Sequence, residues 1–232
     1  MDAPPEGAVA LKGKEFRVLD KGSIVLLEFI GSDQRVVDAA RVSMGVKGDP
    51  ERDRKLIFFL MKNKHSTPFE HVVFQFLIKC PIFVARQWFR HRIASYNERS
   101  ARYRVFEEEF YVPSLEDLPE VFDEKDIEEY EAILRQEHEV YERMIEKSKP
   151  FKELRQRTRE VFRGILGSSY YTEFYWTINL RSLMNFVELR DAPGAQLEIR
   201  RYAQVLRSIV KEVVPISYEA FETHVLNKPS EG

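Results

Sequence analysis

Residues 81–104 (PIFVARQWFRHRIASYNERSARYR) hold six arginines, Arg86, Arg90, Arg92, Arg99, Arg102 and Arg104, against a single acid, Glu98. Trp88, Tyr96 and Tyr103 are interleaved among them. The first half of the block reads as a helix. On it Arg86 and Arg90 lie four apart, like charges on one face, an arrangement that is mildly unfavourable in isolation. Gln87, Arg90 and His91 share nearly that face. Arginine presents a planar fork that meets phosphate or carboxylate with two parallel hydrogen bonds. Gln87, Asn97 and Ser100 add neutral hydrogen-bonding groups. The chemistry these residue types support is capture of a small anion, a phosphate group first of all. The bland alternative is a solvated cationic face paired with acids elsewhere.

The elements that must position this block are legible from pattern. Residues 1–15 contain Pro and Gly and lack a period, so a loose tail is expected there. Residues 16–19 and 23–30 flank Asp20-Lys21-Gly22 and predict a hairpin. Residues 33–42 read as a helix. Asp49-Pro50 opens another, with Asp as N-cap and Pro in the first turn, running to about residue 64. Thr67 and Glu70 have capping-box spacing around Pro68. Residues 72–80 (VVFQFLIKC) predict a strand leading into the arginine helix, and 103–112 a further strand ended by Pro113. A long acidic helix is expected over 123–147, with Ile127, Tyr130, Leu134, Tyr141, Met144 and Ile145 as its buried stripe and His138 facing solvent or partly packed. Residues 150–166 predict a helix ended by Gly167. Residues 170–178 (YYTEFYWTI) are aromatic and β-branched, hence a strand. Asn179 then leads into a helix carrying Asn185 and Arg190. Residues 194–214 form an amphipathic helix broken by Pro215, and a last short helix runs to about 226, followed by a tail over 227–232. The expectation is α+β: a mixed or antiparallel sheet packed by helices, in one domain over 16–226.

The totals narrow the function classes. At 232 residues, 44% hydrophobic and 32% charged, the chain has the composition of a globular domain. Its net charge of -2, with acids concentrated in 107–139 next to the basic block, favours a local anion pocket over a broad nucleic-acid surface. One cysteine, Cys80, excludes a disulfide framework and fits a reducing, cytoplasmic setting. No apolar h-region opens the chain and no apolar run reaches membrane-spanning length, so neither a signal peptide nor a membrane helix is expected. Five scattered histidines without H-E-x-x-H give no support to a metal site. G-x-G-x-x-G, G-x-x-x-x-G-K-[ST] and G-x-S-x-G are all lacking. A flavin, if bound, would therefore not sit on a dinucleotide-fingerprint turn.

Arg90-His91-Arg92 followed after seven residues by Ser100 matches RHR-x7-S. With its flanks, the Arg86-to-Arg92 segment before and Asn97-Glu98-Arg99-Ser100-Ala101-Arg102-Tyr103 after, the block resembles the signature of the flavin-dependent thymidylate synthases. AARVS, TPFEH and NLRSLMNF…LR match the family in order, so that the resemblance spans roughly residues 20–221. Ala101 stands where many members have Gly.

The resemblance implies a homotetramer with active sites shared between subunits. It implies reductive methylation of dUMP to dTMP, with 5,10-methylenetetrahydrofolate as carbon donor and FAD, reduced by NADPH, carrying the hydride. Carried over position by position, it places Gln87, Trp88, Phe89, Arg90, Glu98, Arg99, Ser100, Ala101, Arg102, Arg163 and Arg190 at dUMP. Arg190 is the catalytic member, stabilising negative charge on the uracil ring. At FAD it places His65, Thr67, Arg90, His91, Arg92, Glu98, Asn179, Leu180, Arg181 and Asn185. The other chemical route to thymidylate adds a cysteine to uracil C6. Cys80, ending an apolar strand, reads as a small buried hydrophobe unsuited to that role.

Overall fold

The computed structural model describes residues 5–42, 48–100, 105 and 107–227. In chain order the elements are α1 (Glu6–Val9), β1 (Glu15–Val18), β2 (Gly22–Ile30), α2 (Asp33–Ala40), α3 (Pro50–Lys62), β3 (Val73–Pro81), α4 (Ile82–Trp88) and β4 (Ser95–Glu98). Then come α5 (Glu124–Ser148), α6 (Arg155–Phe162), β5 (Tyr171–Asn179), α7 (Leu180–Arg190), α8 (Leu197–Val213) and α9 (Pro215–Phe221). The strands form one five-stranded sheet in the order β1-β2-β3-β5-β4, antiparallel throughout. The class is α+β, as the pattern predicts.

The sheet's two-residue period decides which side is core. Phe74, Phe76, Ile78 and Cys80 of β3 are fully buried. They stand opposite Ile178, Trp176, Phe174 and Thr172 of β5 on the same face. Gln75 and Tyr175, of opposite parity, are exposed. Onto the apolar face pack α4, α7 and α8, and Trp88 is the common contact. Its ring lies 4.7 Å from Phe186, 5.1 Å from Trp176 and 5.6 Å from both Phe174 and Tyr202. Full burial of such a side chain is worth roughly 3 kcal/mol or somewhat less. A smaller cluster, Phe110, Leu134 and Tyr170, fastens the 25-residue α5 to the start of β5.

Local chemistry sets the helix starts. Asp49 caps α3 through Arg52 N–H at 2.9 Å, with Pro50 in the first turn. Asp123 and Asp126 form a reciprocal capping box at α5. The start of α9 is capped from a distance: Asp33 accepts from Ile216 N–H and Ser217 N–H at 2.9 and 2.8 Å.

Several sequence expectations are corrected. Residues 6–9 form a helical turn rather than a loose tail, because Ala8 is fully buried against α8. Gly13, at φ 77°, then ties the segment to β2 through Leu26 C=O at 2.8 Å. The strand expected over 103–112 reduces, among the described residues, to one bridge between Phe110 and Tyr170. Here Glu107, Glu108 and Glu109 each answer a different cation, Arg99 at 3.0 Å, Arg135 at 2.7 Å and Lys79 at 2.7 Å, so the segment is strapped down by side chains. The helix expected from 150 begins only at Arg155, after a turn, and closes in a 3-10 turn over Arg163–Ile165. His138 is buried rather than solvent-facing, and its ring stacks on Tyr170 at 5.9 Å. Met144, Ile127 and Tyr130 are only half-buried.

Candidate functional site

Gln87 and Arg90 reach one cavity because of the turn of α4. Trp88, one residue on from Gln87, is driven into the core. Gln87 and Arg90 are left on the outer flank, 100° per residue away. The turn after α4, which carries Arg90-His91-Arg92, is closed by the Tyr96 hydroxyl, which donates to His91 C=O at 2.7 Å. Phe89 packs between Tyr96 and Phe174, at 5.1 and 4.9 Å.

From the other side comes the last turn of α7. Arg190 Nε donates to His91 Nε2 at 3.0 Å, and its Nη2 donates to Gln87 C=O at 3.2 Å. One edge of the guanidinium is thus held by protein. Arg190, Arg90, Arg86, Gln87, Phe83, Phe89 and Ser168 line a cavity of about 750 Å³. Burial and the charge of Arg90 both lower the Arg190 pKa. Burial first, and Arg190 second, push His91 down to about 4, so its imidazole is neutral at physiological pH and accepts from Arg190.

A second cavity, of about 440 Å³, lies at the end of β4. Glu98, Arg99, Ser100 and Arg163 line it, with Ile82, Gly164, Leu166 and Thr172. Thr172 Oγ1 donates to Glu98 Oε1 at 2.7 Å, and Arg99 N–H donates to Glu173 C=O at 2.8 Å, which fixes the strand end. The two cavities flank the start of α4, Phe83 lining the first and Ile82 the second.

A third group surrounds the start of α7. Asn179 caps that helix, its Oδ1 accepting from Ser182 N–H at 2.9 Å, which leaves its amide NH₂ to donate elsewhere. Arg181 pairs with Glu70 of the 3-10 turn Thr67–His71. Thr67, Arg181 and Asn185 are exposed, the last two a helical turn apart. His65 is exposed, its ring edge-on to Phe59 at 5.8 Å.

The structure brings Gln87, Phe89, Arg90, His91 and Arg190 together, and separately Glu98, Arg99, Ser100 and Arg163. Thr67, Asn179, Arg181 and Asn185 form the third group, and Arg92 is exposed beside the first. Ala101 and Arg102 lie outside the described residues. At two of the sequence-predicted positions the side chain is turned into the core. Trp88 and Leu180 are fully buried, so neither side chain faces a ligand, and only their backbone groups remain available. The capping box at Thr67 is corrected: the turn has no side-chain cap, and Glu70 turns to Arg181 instead. Sequence reasoning missed Phe83, Ser168 and Thr172 as lining residues. Arg86 was visible in it as part of the charged face.

Cys80 is fully buried, and burial followed by the charge of Glu98 raises its thiol well above the ordinary range. A thiolate nucleophile is not supported there. Among the described residues no group of three or more His, Cys, Asp or Glu side chains could hold a metal ion. None of the described helices is long and apolar enough to cross a membrane.

Comparison with known proteins bears on what this arrangement serves. Residues 25–216 match the family described as thymidylate synthase complementing protein (Thy1). The chain belongs to this family. It is 46% identical over 207 residues to the flavin-dependent thymidylate synthase of Thermotoga neapolitana, covering 88% of this chain and 92% of that one. It is 49% identical over 218 residues to the flavin-dependent thymidylate synthase of Thermosipho africanus, covering 89% and 93%. Among solved structures it is similar to the UMP/dUMP methylase PolB from Streptomyces cacaoi bound with 5-Br dUMP. That likeness has a TM-score of 0.78 at 30% identity, covering 92% of this chain and all of the other. A chain of the Thy1 family thus carries an arginine-lined cavity and lacks an accessible cysteine.

Proposed function

We propose that this protein is a flavin-dependent thymidylate synthase that methylates dUMP to dTMP, with the nucleotide held in the Arg190 cavity. The observation that carries the reading is the clamped guanidinium of Arg190, held along one edge by His91 and Gln87 while it lines a cavity shared with Arg86 and Arg90. A guanidinium fixed beforehand stabilises negative charge that develops on the uracil ring without having to reorganise, and this makes C5 the nucleophile. Arg90, with Ser100, Arg99 and Arg102 from the signature segment, meets the nucleotide phosphate, and Gln87 orients the base. No cysteine takes part.

The residues present fit a flavin dinucleotide. Exposed Thr67, the free amide of Asn179, Arg181 and Asn185 gather donors at the start of α7, suited to a pyrophosphate and its sugars. His91 and Arg92 continue the donor set. When bound, FAD carries the hydride supplied by NADPH, while 5,10-methylenetetrahydrofolate supplies the carbon. The functional unit is one domain over residues 16–226, onto which the helical turn of residues 6–9 packs. It works as a homotetramer in the cytoplasm, on a small nucleotide rather than a nucleic acid. The dispersion of the candidate residues over three places supports sites built from several subunits.

The test is a visible absorption spectrum of the purified protein supplied with FAD, recorded before and after dUMP is added. Flavin absorption that shifts on adding dUMP is the expected result. Protein that takes up no FAD, or whose flavin is indifferent to dUMP, overturns the proposal.

A further inference from the structure

We infer that His91 is the positioning residue for Arg190: its Nε2 holds the guanidinium in the orientation that receives the nucleotide. The inference rests on the function proposed above and adds to the cofactor contact expected of His91.

The geometry is specific. A guanidinium has no freedom within its plane once two of its donors on one edge are bonded, because the five N–H groups form a rigid fork. Arg190 uses Nε toward His91 at 3.0 Å and Nη2 toward Gln87 C=O at 3.2 Å, which spends that edge on protein. Nη1 and the remaining N–H of Nη2 are left for whatever fills the cavity. The Gln87 carbonyl is fixed by α4. His91 is therefore the side chain on which the plane of the guanidinium depends. Its own ring is held in turn. It packs on Phe186 of α7 at 4.7 Å, one turn before Arg190, and its backbone carbonyl is bonded by Tyr96. The imidazole accepts only through an unprotonated Nε2, which requires the tautomer with hydrogen on Nδ1. The RHR motif thus serves two elements at once: it brings cations to the ligand and aims a third one from α7.

His91→Phe keeps a ring against Phe186 and removes the acceptor, whereas His91→Gln keeps an acceptor without the ring. The experiment is a double-mutant cycle on dUMP affinity, measured by calorimetry on full-length protein saturated with FAD, with flavin occupancy checked by absorbance. Removing a hydrogen bond to a charged group is expected to raise the dUMP Kd about tenfold in His91→Phe. His91→Gln recovers most of this loss. In an Arg190→Ala background, His91→Phe is expected to change Kd by less than about twofold, because the group it positions is gone. Equal losses in both backgrounds, or no loss in either, overturn the inference. A second measurement separates this from the proposed function. The Arg190 Nε–H resonance, observed by ¹⁵N NMR without nucleotide, is expected to be slow to exchange in wild type and in His91→Gln and to lose that protection in His91→Phe. Wild-type protein that binds no dUMP would sink the proposed substrate, while the Nε–H signal still decides whether the clamp exists. An unprotected Nε–H in wild type refutes the clamp itself.

Discussion

Arg190 is held differently from the arginines that pair with acids. Arg135, for example, pairs with Glu108 and Glu131. Arg190 instead meets two neutral acceptors and keeps its charge uncompensated beside Arg90. That is the configuration of a group that awaits an anion. Replacing it by Lys retains a charge but loses the planar fork, so turnover is expected to fall about 100-fold, the range seen when one preorganised donor is removed. FAD occupancy should stay near wild type, and steady-state kinetics beside a flavin spectrum decides the point. A pH prediction follows for His91, which faces Arg190 from α7 and adjoins Arg90. Its pKa in the folded protein, about 4, lies below the ordinary 6.5. Between those values the unfolded chain binds the extra proton and the folded one does not, so this group's contribution is complete above pH 6.5 and is lost as pH falls toward 4. Denaturant titrations from pH 4 to 7 should show a shallower loss of stability in His91→Gln than in wild type. Identical slopes would remove His91 from the account. Cys80 gives the complementary test. Cys80→Ala is expected to leave turnover within about twofold while costing on the order of 1 kcal/mol from the emptied core position. Loss of activity in a folded variant would reinstate a cysteine route.

At the scale of elements, Asn179 joins β5 to α7 and does two jobs that substitution can separate. Its Oδ1 caps the helix, and its NH₂ meets no acceptor among the described residues. Asn179→Asp retains an acceptor and should hold stability nearly constant while weakening flavin uptake. Asn179→Ala should in addition cost about 1 kcal/mol in unfolding free energy. Thermal melts with and without FAD distinguish the two, and a normal flavin affinity in Asn179→Asp would leave Asn179 as a cap alone. The sequence showed some of these elements well and others poorly, for physical reasons. β3 and β5 were legible because one buried face imposes strict alternation on aromatic and β-branched residues. α3 was legible because Asp49-Pro50 is a local start signal, and α5 because its apolar residues recur at helical spacing. The segment before Pro113 was not, since its acids are satisfied by Arg99, Arg135 and Lys79, which no local pattern reveals. Of the site, the arginine block announced an anion by itself. Resemblance supplied positions but not directions. Trp88 and Leu180 occupy matched places while their side chains point into the core, and the 100° step along α4 separates Gln87 from Trp88.

Across the whole molecule, the residues expected to serve one reaction fall into three places on a single chain. Arg190 and Gln87 line one cavity, and Glu98, Ser100 and Arg163 line another. Arg181 lies near the far end of α7 from Arg190, about 14 Å along the helix, and Asn185 lies midway between them. Closed symmetry merges these groups simply, because a patch on one subunit can face a different patch on its neighbour. The consequence is testable without a structure of the assembly. Arg190→Ala removes the first cavity's guanidinium, and Ser100→Trp fills the second cavity, of about 440 Å³. Each variant alone is expected to be nearly inactive. If a site takes Arg190 from one subunit and Ser100 from another, co-refolding the two variants in equal amounts yields sites that inherit both intact residues. Random assembly puts that at about a quarter of all sites, so about a quarter of wild-type activity should return. If both residues serve a site within one chain, every site in the mixture carries a defect and no activity returns. Native mass spectrometry of the mixed sample, run alongside, establishes that the hybrids formed, because the two variant subunits differ in mass. A silent but fully hybrid assembly would therefore reject shared sites, and recovered activity would place Arg190 and Ser100 of different subunits around one nucleotide.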